Sequence, residues 1–373
     1  MLFLYASERP YLPERLDGAI YAVHCLFSML RRRGHQCEAL VPGLRTGTKG
    51  WSVYRAARWI TRRRLLALPD YRNGYRTARA RPELFRDALR RRLADRRPDV
   101  LLTQLEGTEA IATEAVRAGI PAVVWVHDNE FGFYAGRPPV GPGLLAVSAT
   151  DYVGDRVREK LGMEAPVLYP PVDLGRCRAR REHPDLITMI NPYPVKGVHI
   201  ALKVAELLPH RRFQLVETWP LHDSLRAELD AAVARLPNVT LRPGSPRIAE
   251  VYDRTLLLLA PSQWVEAFCT VILEANVNGI PAVASRIGGI PTTLGGGGVL
   301  VEPDAPPEEW ARRVEDVLSD PAKYEALSRA ARANATRPEF DPDRIAIRFL
   351  ELVSGMAAPG TVSRAPVPSA ARD

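Results

Sequence analysis

The chain has 373 residues, 46% hydrophobic and 25% charged, with a formal net charge of +8. That length is too great for one ordinary core and suits two domains of roughly 150 residues each, in a composition typical of folded globular proteins. No apolar run reaches the roughly 18 residues of a spanning helix, and the short patch in MLFLYASERP has no basic residue ahead of it, so a cytoplasmic protein without a secretory leader is expected.

Along the first half, short apolar runs alternate with helical patterns. Strands are expected at 2–6, 37–41, 100–103, 122–126 and 144–148, and helices at 19–33, 74–95, 108–118 and 152–161. Gly34 and Gly119 follow helices, where a left-handed cap favours glycine. The proline-rich LYPPVD at 168–173 interrupts the pattern, and the charged stretch 176–185 reads as a linker. The alternation then restarts, with strands at 186–190, 213–217, 239–241, 256–260 and 282–285, and helices at 198–207, 223–235, 248–252, 270–278 and 307–318. Strand, helix, strand with short connections makes right-handed crossovers and a parallel sheet. The expected fold is therefore α/β, with two doubly wound Rossmann-like domains facing a cleft. The expected bounds are 1–175 and 183–340, a helix at 341–356 packing back on the first domain, and a disordered Pro-, Ala- and Ser-rich tail at 357–373.

Charge and cysteine are unevenly placed. Residues 51–100 hold fifteen arginines against five acids, which leaves the rest of the chain close to neutral. Such a segment reads either as an exposed arginine-rich helix or as a surface for an anionic membrane or acceptor. No nucleic-acid module accompanies it. Cys25, Cys37, Cys177 and Cys269 are far apart and form no C-x-x-C pair, so free thiols are expected rather than a zinc site or a disulfide framework. Four glycines at 295–298 lack a following G-K-[ST] and read as a flexible turn, and the D-x-D of Asp341 and Asp343 sits beside a proline far down the chain.

The stretch EAFCTVILEANVNGIPAVASRIGGIP, residues 266–291, carries the most chemistry. Glu266 precedes a helix candidate and Glu274 lies about two turns inside it, and the spacing of eight brings both carboxylates to roughly one side. The amides of Ala267, Phe268, Cys269 and Thr270 would open that helix and form an anion site. From spacing alone, two surface glutamates near a helix start fit as well.

The two glutamates match the E-x7-E signature, and the surrounding sequence resembles family 4 of the retaining GT-B glycosyltransferases (glycosyltransferase group 1). Further similar segments follow in order: DGAIYAVHCLFSMLRRRGHQCEALV, WVHDNEF, AVSATDYVGDRVREKLG, YPPVD, INPYPVKGV, GIPAVASRIGGIP and VLVEPDAP. The resemblance implies retaining transfer of a hexosyl or pentosyl group from a nucleotide diphosphate sugar to an acceptor, with no metal and no other cofactor. It implies that Glu266 bonds donor-sugar hydroxyls, Glu274 the ribose and Lys196 the departing phosphates. His127 would lie near the reacting centre, completing a catalytic set with Glu266 and Lys196. Gly18, Asn191 and residues 267–270 would line the donor site, and Asp128 and Glu130 would face the acceptor. Asn191 stands where the family often has an arginine, Cys269 where glycine is common, and Val265 where an acid is common. The alternatives are a GT-B scaffold without turnover, a nucleotide-sugar epimerase, which the E-x7-E stretch disfavours, or nucleic-acid binding through the arginines.

Overall fold

The computed structural model describes residues 1–12, 17–43, 67–129 and 142–356. Among the described residues thirteen strands form two sheets. The first holds β1 (Leu2–Ala6), β2 (Gln36–Pro42), β3 (Ala67–Asp70), β4 (Arg76–Ala80), β5 (Val100–Thr103), β6 (Ala122–Val126) and β7 (Leu144–Ser148), in the order β3-β4-β2-β1-β5-β6-β7. The second holds β8 (Leu186–Ile190), β9 (Arg212–Glu217), β10 (Val239–Pro243), β11 (Thr255–Ala260), β12 (Ala282–Ser285) and β13 (Gly298–Val301), in the order β10-β9-β8-β11-β12-β13. Every strand pair is parallel except β3 with β4. Central strands such as LFLYA and AVVWV are apolar on both faces because helices cover both sides of the sheet.

The expected helix over 74–95 is two elements. Residues 76–80 form β4 between β2 and β3, and the helix proper runs Phe85–Asp95. The sequence RTARA has helical propensity, but pairing on both edges overrides it, and Pro82 separates the two elements. Strands β3 and β13 and the helix Pro321–Ala335 were not expected. Gly34 and Gly119 adopt positive φ, as their positions after helices require. The run 295–298 is packed rather than loose: Gly298 opens β13, and a Cβ there would lie 2.0 Å from the carbonyl oxygen of Ala282.

The linker is tied down. Asp173 caps a short helix, Leu174–Cys177, while Arg181 donates to the carbonyl of Asn278 at 2.7 Å and its amide to Asp253 at 2.8 Å. At the other end, Asp341 caps the helix Pro342–Ser354, accepting from the amides of Asp343 and Arg344, and Asp343 pairs with Arg33 at 2.5 Å. The D-x-D thus serves a helix start. That last helix buries Ile345, Ala346, Phe349 and Val353 in the first domain's core, with the Phe349 ring 5.5 Å from Phe3. The expected tail at 357–373 lies outside the described residues.

The described part of the arginine-rich segment, 67–100, is not a free basic face. All ten arginines from Arg72 to Arg97 have partners: Asp70 for Arg72 and Arg79, Glu38 for Arg76, Arg92 and Arg96, Glu83 for Arg81, Glu8 for Arg86, Glu114 for Arg90, Asp95 for Arg91, and two helix-end carbonyls for Arg97. Arg79 and Arg92 are buried. Arg55, Arg58, Arg62, Arg63 and Arg64 lie outside the described residues.

Candidate donor site between the two sheets

Lys196 closes a short turn, Pro194–Lys196, at the carboxyl end of β8. The next residue, Gly197, has φ +79°, and a Cβ there would lie 1.9 Å from the carbonyl oxygen of Pro261. Only glycine lets this turn pack against the end of β11. The packing brings Lys196 Nζ to 2.5 Å from Glu266 Oε1, which also accepts from Ser262 Oγ at 3.0 Å. The Lys196 ammonium lies 5.3 Å from the Trp219 ring centroid.

Glu266 belongs to a loop, not to the helix. The helix starts at Thr270, so Glu274 is one turn inside it, and the loop rather than helical periodicity sets where Glu266 points. Every carbonyl of this loop is held. Asn129 Nδ2 donates to Val265 O at 3.0 Å, the Gly289 amide to Glu266 O at 2.7 Å and Thr150 Oγ1 to Ala267 O at 2.9 Å. The Thr293 hydroxyl donates to Phe268 O, and the Ile272 amide to Cys269 O at 3.1 Å. In contrast, no acceptor among the described residues meets the amides of Ala267, Phe268, Cys269 or Thr270. The loop thus presents a row of unspent donors beside Lys196, an arrangement suited to phosphate oxygens.

Cys269 turns the chain into the helix with φ +59°, a left-handed conformation that explains why glycine would be easier there. Glu274 accepts from Tyr252 Oη at 2.7 Å, and burial raises its carboxyl above the usual range. The Phe268 side chain is buried against Val172, Leu273 and Phe340.

The first domain closes the other side. Gly18 starts the helix Gly18–Arg32, capped by Asp17, which accepts from the Ile20 amide at 2.9 Å. A Cβ on Gly18 would lie 3.3 Å from Thr270 Oγ1, so the two helix starts nearly touch. His127 follows β6, its ring centroid 4.4 Å from that of Trp125. Burial pushes its imidazole down to about 3, so the ring is neutral at physiological pH. Its Nε2 is buried with no partner among the described residues. Asp128 lies next to it, half-buried; Glu130 falls outside the described residues.

Asn191 plays a part that the sequence did not reveal. It has φ +58°, and its side-chain oxygen accepts from the amide and hydroxyl of Thr218 and from the Trp219 amide at 2.7–3.1 Å. It therefore shapes the loop that lays Trp219 beside Lys196. Arg286, which follows β12, pairs on the surface with Glu302 at 2.8 Å. Among the described residues no cluster of His, Cys, Asp or Glu could hold a metal ion.

Residues 178–334 match the family described as glycosyl transferases group 1. The match covers most of the second domain and none of the first. Over 104 residues the chain is 38% identical to the D-inositol 3-phosphate glycosyltransferase of Segniliparus rotundus, 27% of this chain and 23% of the relative. Over 193 residues it is 30% identical to the same-named protein of Pseudarthrobacter chlorophenolicus, covering 44% of each. The chain thus spans less than half the length of these curated relatives. Among solved structures it is similar to Anabaena Alr3699/HepE in complex with UDP-glucose, at a TM-score of 0.73 and 17% identity, covering 95% of this chain and all of that one. The fold is accordingly GT-B, with the domain that matches this family forming the Lys196 and Glu266 side of the cleft.

Proposed function

We propose that the protein is a retaining glycosyltransferase that moves a sugar from a nucleoside diphosphate sugar to an acceptor held by the first domain. The observation that carries the proposal is the row of unspent amides at 267–270 beside the Lys196–Glu266 pair. Phosphate oxygens would take the amides and Lys196, releasing Glu266 to accept from donor-sugar hydroxyls. Glu274, beside Tyr252, would take the ribose. The neutral His127 would bond a sugar hydroxyl near the reacting carbon. Catalysis would then rest on orientation and on stabilising charge on the leaving diphosphate, without a metal. The leaving oxygen would take the acceptor proton on the same face, which retains configuration. A nucleoside diphosphate sugar is also what the Anabaena structure binds. The proposed location is cytoplasmic. Contact with an anionic membrane or acceptor would fall to the five arginines from 55 to 64, since those from 72 to 97 are paired.

A thermal-shift screen with UDP, GDP, dTDP and ADP, each with and without magnesium, tests the reading on wild type and Lys196→Ala. A nucleotide that stabilises wild type without metal, and loses its effect in the variant, is the expected result. No shift with any nucleotide would favour a scaffold without turnover, the reading suggested by Asn191 in place of arginine.

A further inference from the structure

In a planar trans peptide the carbonyl of one residue and the amide of the next point in opposite directions. A group that grips the carbonyl therefore fixes the aim of the following amide. In the 265–269 loop three grips come from the second domain itself, but two cross from the first. Asn129, after β6, holds Val265 O at 3.0 Å, and Thr150, after β7, holds Ala267 O at 2.9 Å. The Thr150 grip aims the Phe268 amide. The Asn129 grip fixes the peptide from which Glu266 leaves the loop.

Thr150 is fully buried, and its hydroxyl has two tasks. It accepts from the Val153 amide at 3.3 Å, capping the helix Asp151–Leu161, and donates to Ala267 O. The far side of that carbonyl is closed by Gly289, where a Cβ would lie 2.0 Å from Ala267 O and 3.0 Å from Thr150 Cγ2. The carbonyl is thus boxed between the two domains.

We infer that Thr150 and Asn129 are positioning residues for the donor site: first-domain side chains that aim second-domain peptides, so that the amide cradle is complete only when the domains are docked. The inference rests on the donor-site reading above. It makes donor affinity a property of both domains.

Calorimetric titration of the full chain with UDP, GDP, dTDP and ADP tests it, using the tightest binder for the variants. Thr150→Val and Asn129→Ala should each weaken that nucleotide about five-fold, the effect of losing one ordinary hydrogen bond. Thr150→Ser, which keeps both hydroxyl bonds, should stay within about two-fold of wild type. Lys196→Ala should also weaken binding, which ties the nucleotide to this site. Loss of the cap alone would lower the melting temperature of Thr150→Val and leave Kd unchanged, and Asn129→Ala removes no cap. Wild-type affinity in both Thr150→Val and Asn129→Ala, with Lys196→Ala impaired, would overturn the inference and leave the donor site standing. Wild-type affinity in Lys196→Ala, or no nucleotide bound at all, would overturn the donor-site reading and this inference together.

Discussion

Lys196 and Glu266, seventy residues apart in sequence, meet at 2.5 Å with side chains only 18% and 12% exposed. Each lies at the carboxyl end of a neighbouring strand, β8 and β11, and each is held by its own turn. In the proposed reaction an incoming phosphate would share this preassembled contact: the ammonium would turn to the anion while Ser262 keeps its bond to Glu266.

Lys196→Ala should lower kcat/KM for transfer by about 10²–10³, the usual cost of deleting a group that stabilises leaving charge. Lys196→Arg should recover only part of this, because a planar guanidinium does not replace a compact ammonium between Glu266 and Trp219. Steady-state kinetics decides the matter; a wild-type kcat/KM in the alanine variant would make the pair purely structural.

His127 gives a pH signature. Its imidazole is pushed down to about 3 by burial, so between there and its ordinary value near 6.5 the unfolded chain binds the extra proton. Stability from this group is complete above about pH 6.5 and is lost as pH falls toward 3. Replacing it by His127→Gln should flatten the rise of unfolding free energy across that window. Urea titrations at several pH values would show this, and an unchanged slope would place the titration on other groups.

Two glycines with similar φ separate strain from collision. Gly34 has φ +84° with no heavy atom within 4 Å of a Cβ, whereas Gly197 has φ +79° and the Pro261 oxygen at 1.9 Å. Gly34→Ala should cost about 1 kcal/mol and Gly197→Ala about 3 kcal/mol or more. Equal losses on chemical denaturation would mean that the turn carrying Lys196 yields.

Glu38 is buried beneath the arginine-rich segment and binds Arg76 at 3.1 Å, Arg92 at 2.8 Å and also Arg96. Burial pushes its carboxyl up, but the guanidinium groups of Arg92 and Arg76 outweigh this and hold it below the ordinary value. Its contribution is present above the unfolded carboxylate range and lost as pH falls through the folded value. Glu38→Gln should cost about 3–5 kcal/mol at neutral pH, since Arg92 would be left buried without its charge partner. A loss under about 1 kcal/mol by urea titration would mean that Arg92 reaches water in the variant.

The two-sheet fold was legible because short apolar runs such as LFLYA and AVVWV, bounded by turn residues, read as buried strands, and E-x7-E marked the loop on which the proposed donor site rests. What escaped was fixed by distance. Strand β4 holds Arg79 and Thr77 inside the protein, and nothing local marks RTARA as a strand until β2 and β3 flank it. Asn129 and Thr150 act on carbonyls 136 and 117 residues away. No spacing rule reaches so far, and a carbonyl gives the sequence no residue type to read. Asn191 was visible only as a missing arginine; its left-handed backbone and its hold on Thr218 and Trp219 are tertiary facts.

The returning helix Pro342–Ser354 has a practical meaning for recombination. The first domain is a discontinuous unit, its core closed by Ile345, Phe349 and Val353 from the far end of the chain. A chimera that exchanges donor specificity by splicing at the linker alone would graft a foreign last helix onto Phe3 and Ile20. Exchangeable cassettes therefore need two junctions, one near 174–185 and one near 341, with the closing helix kept beside its own sheet.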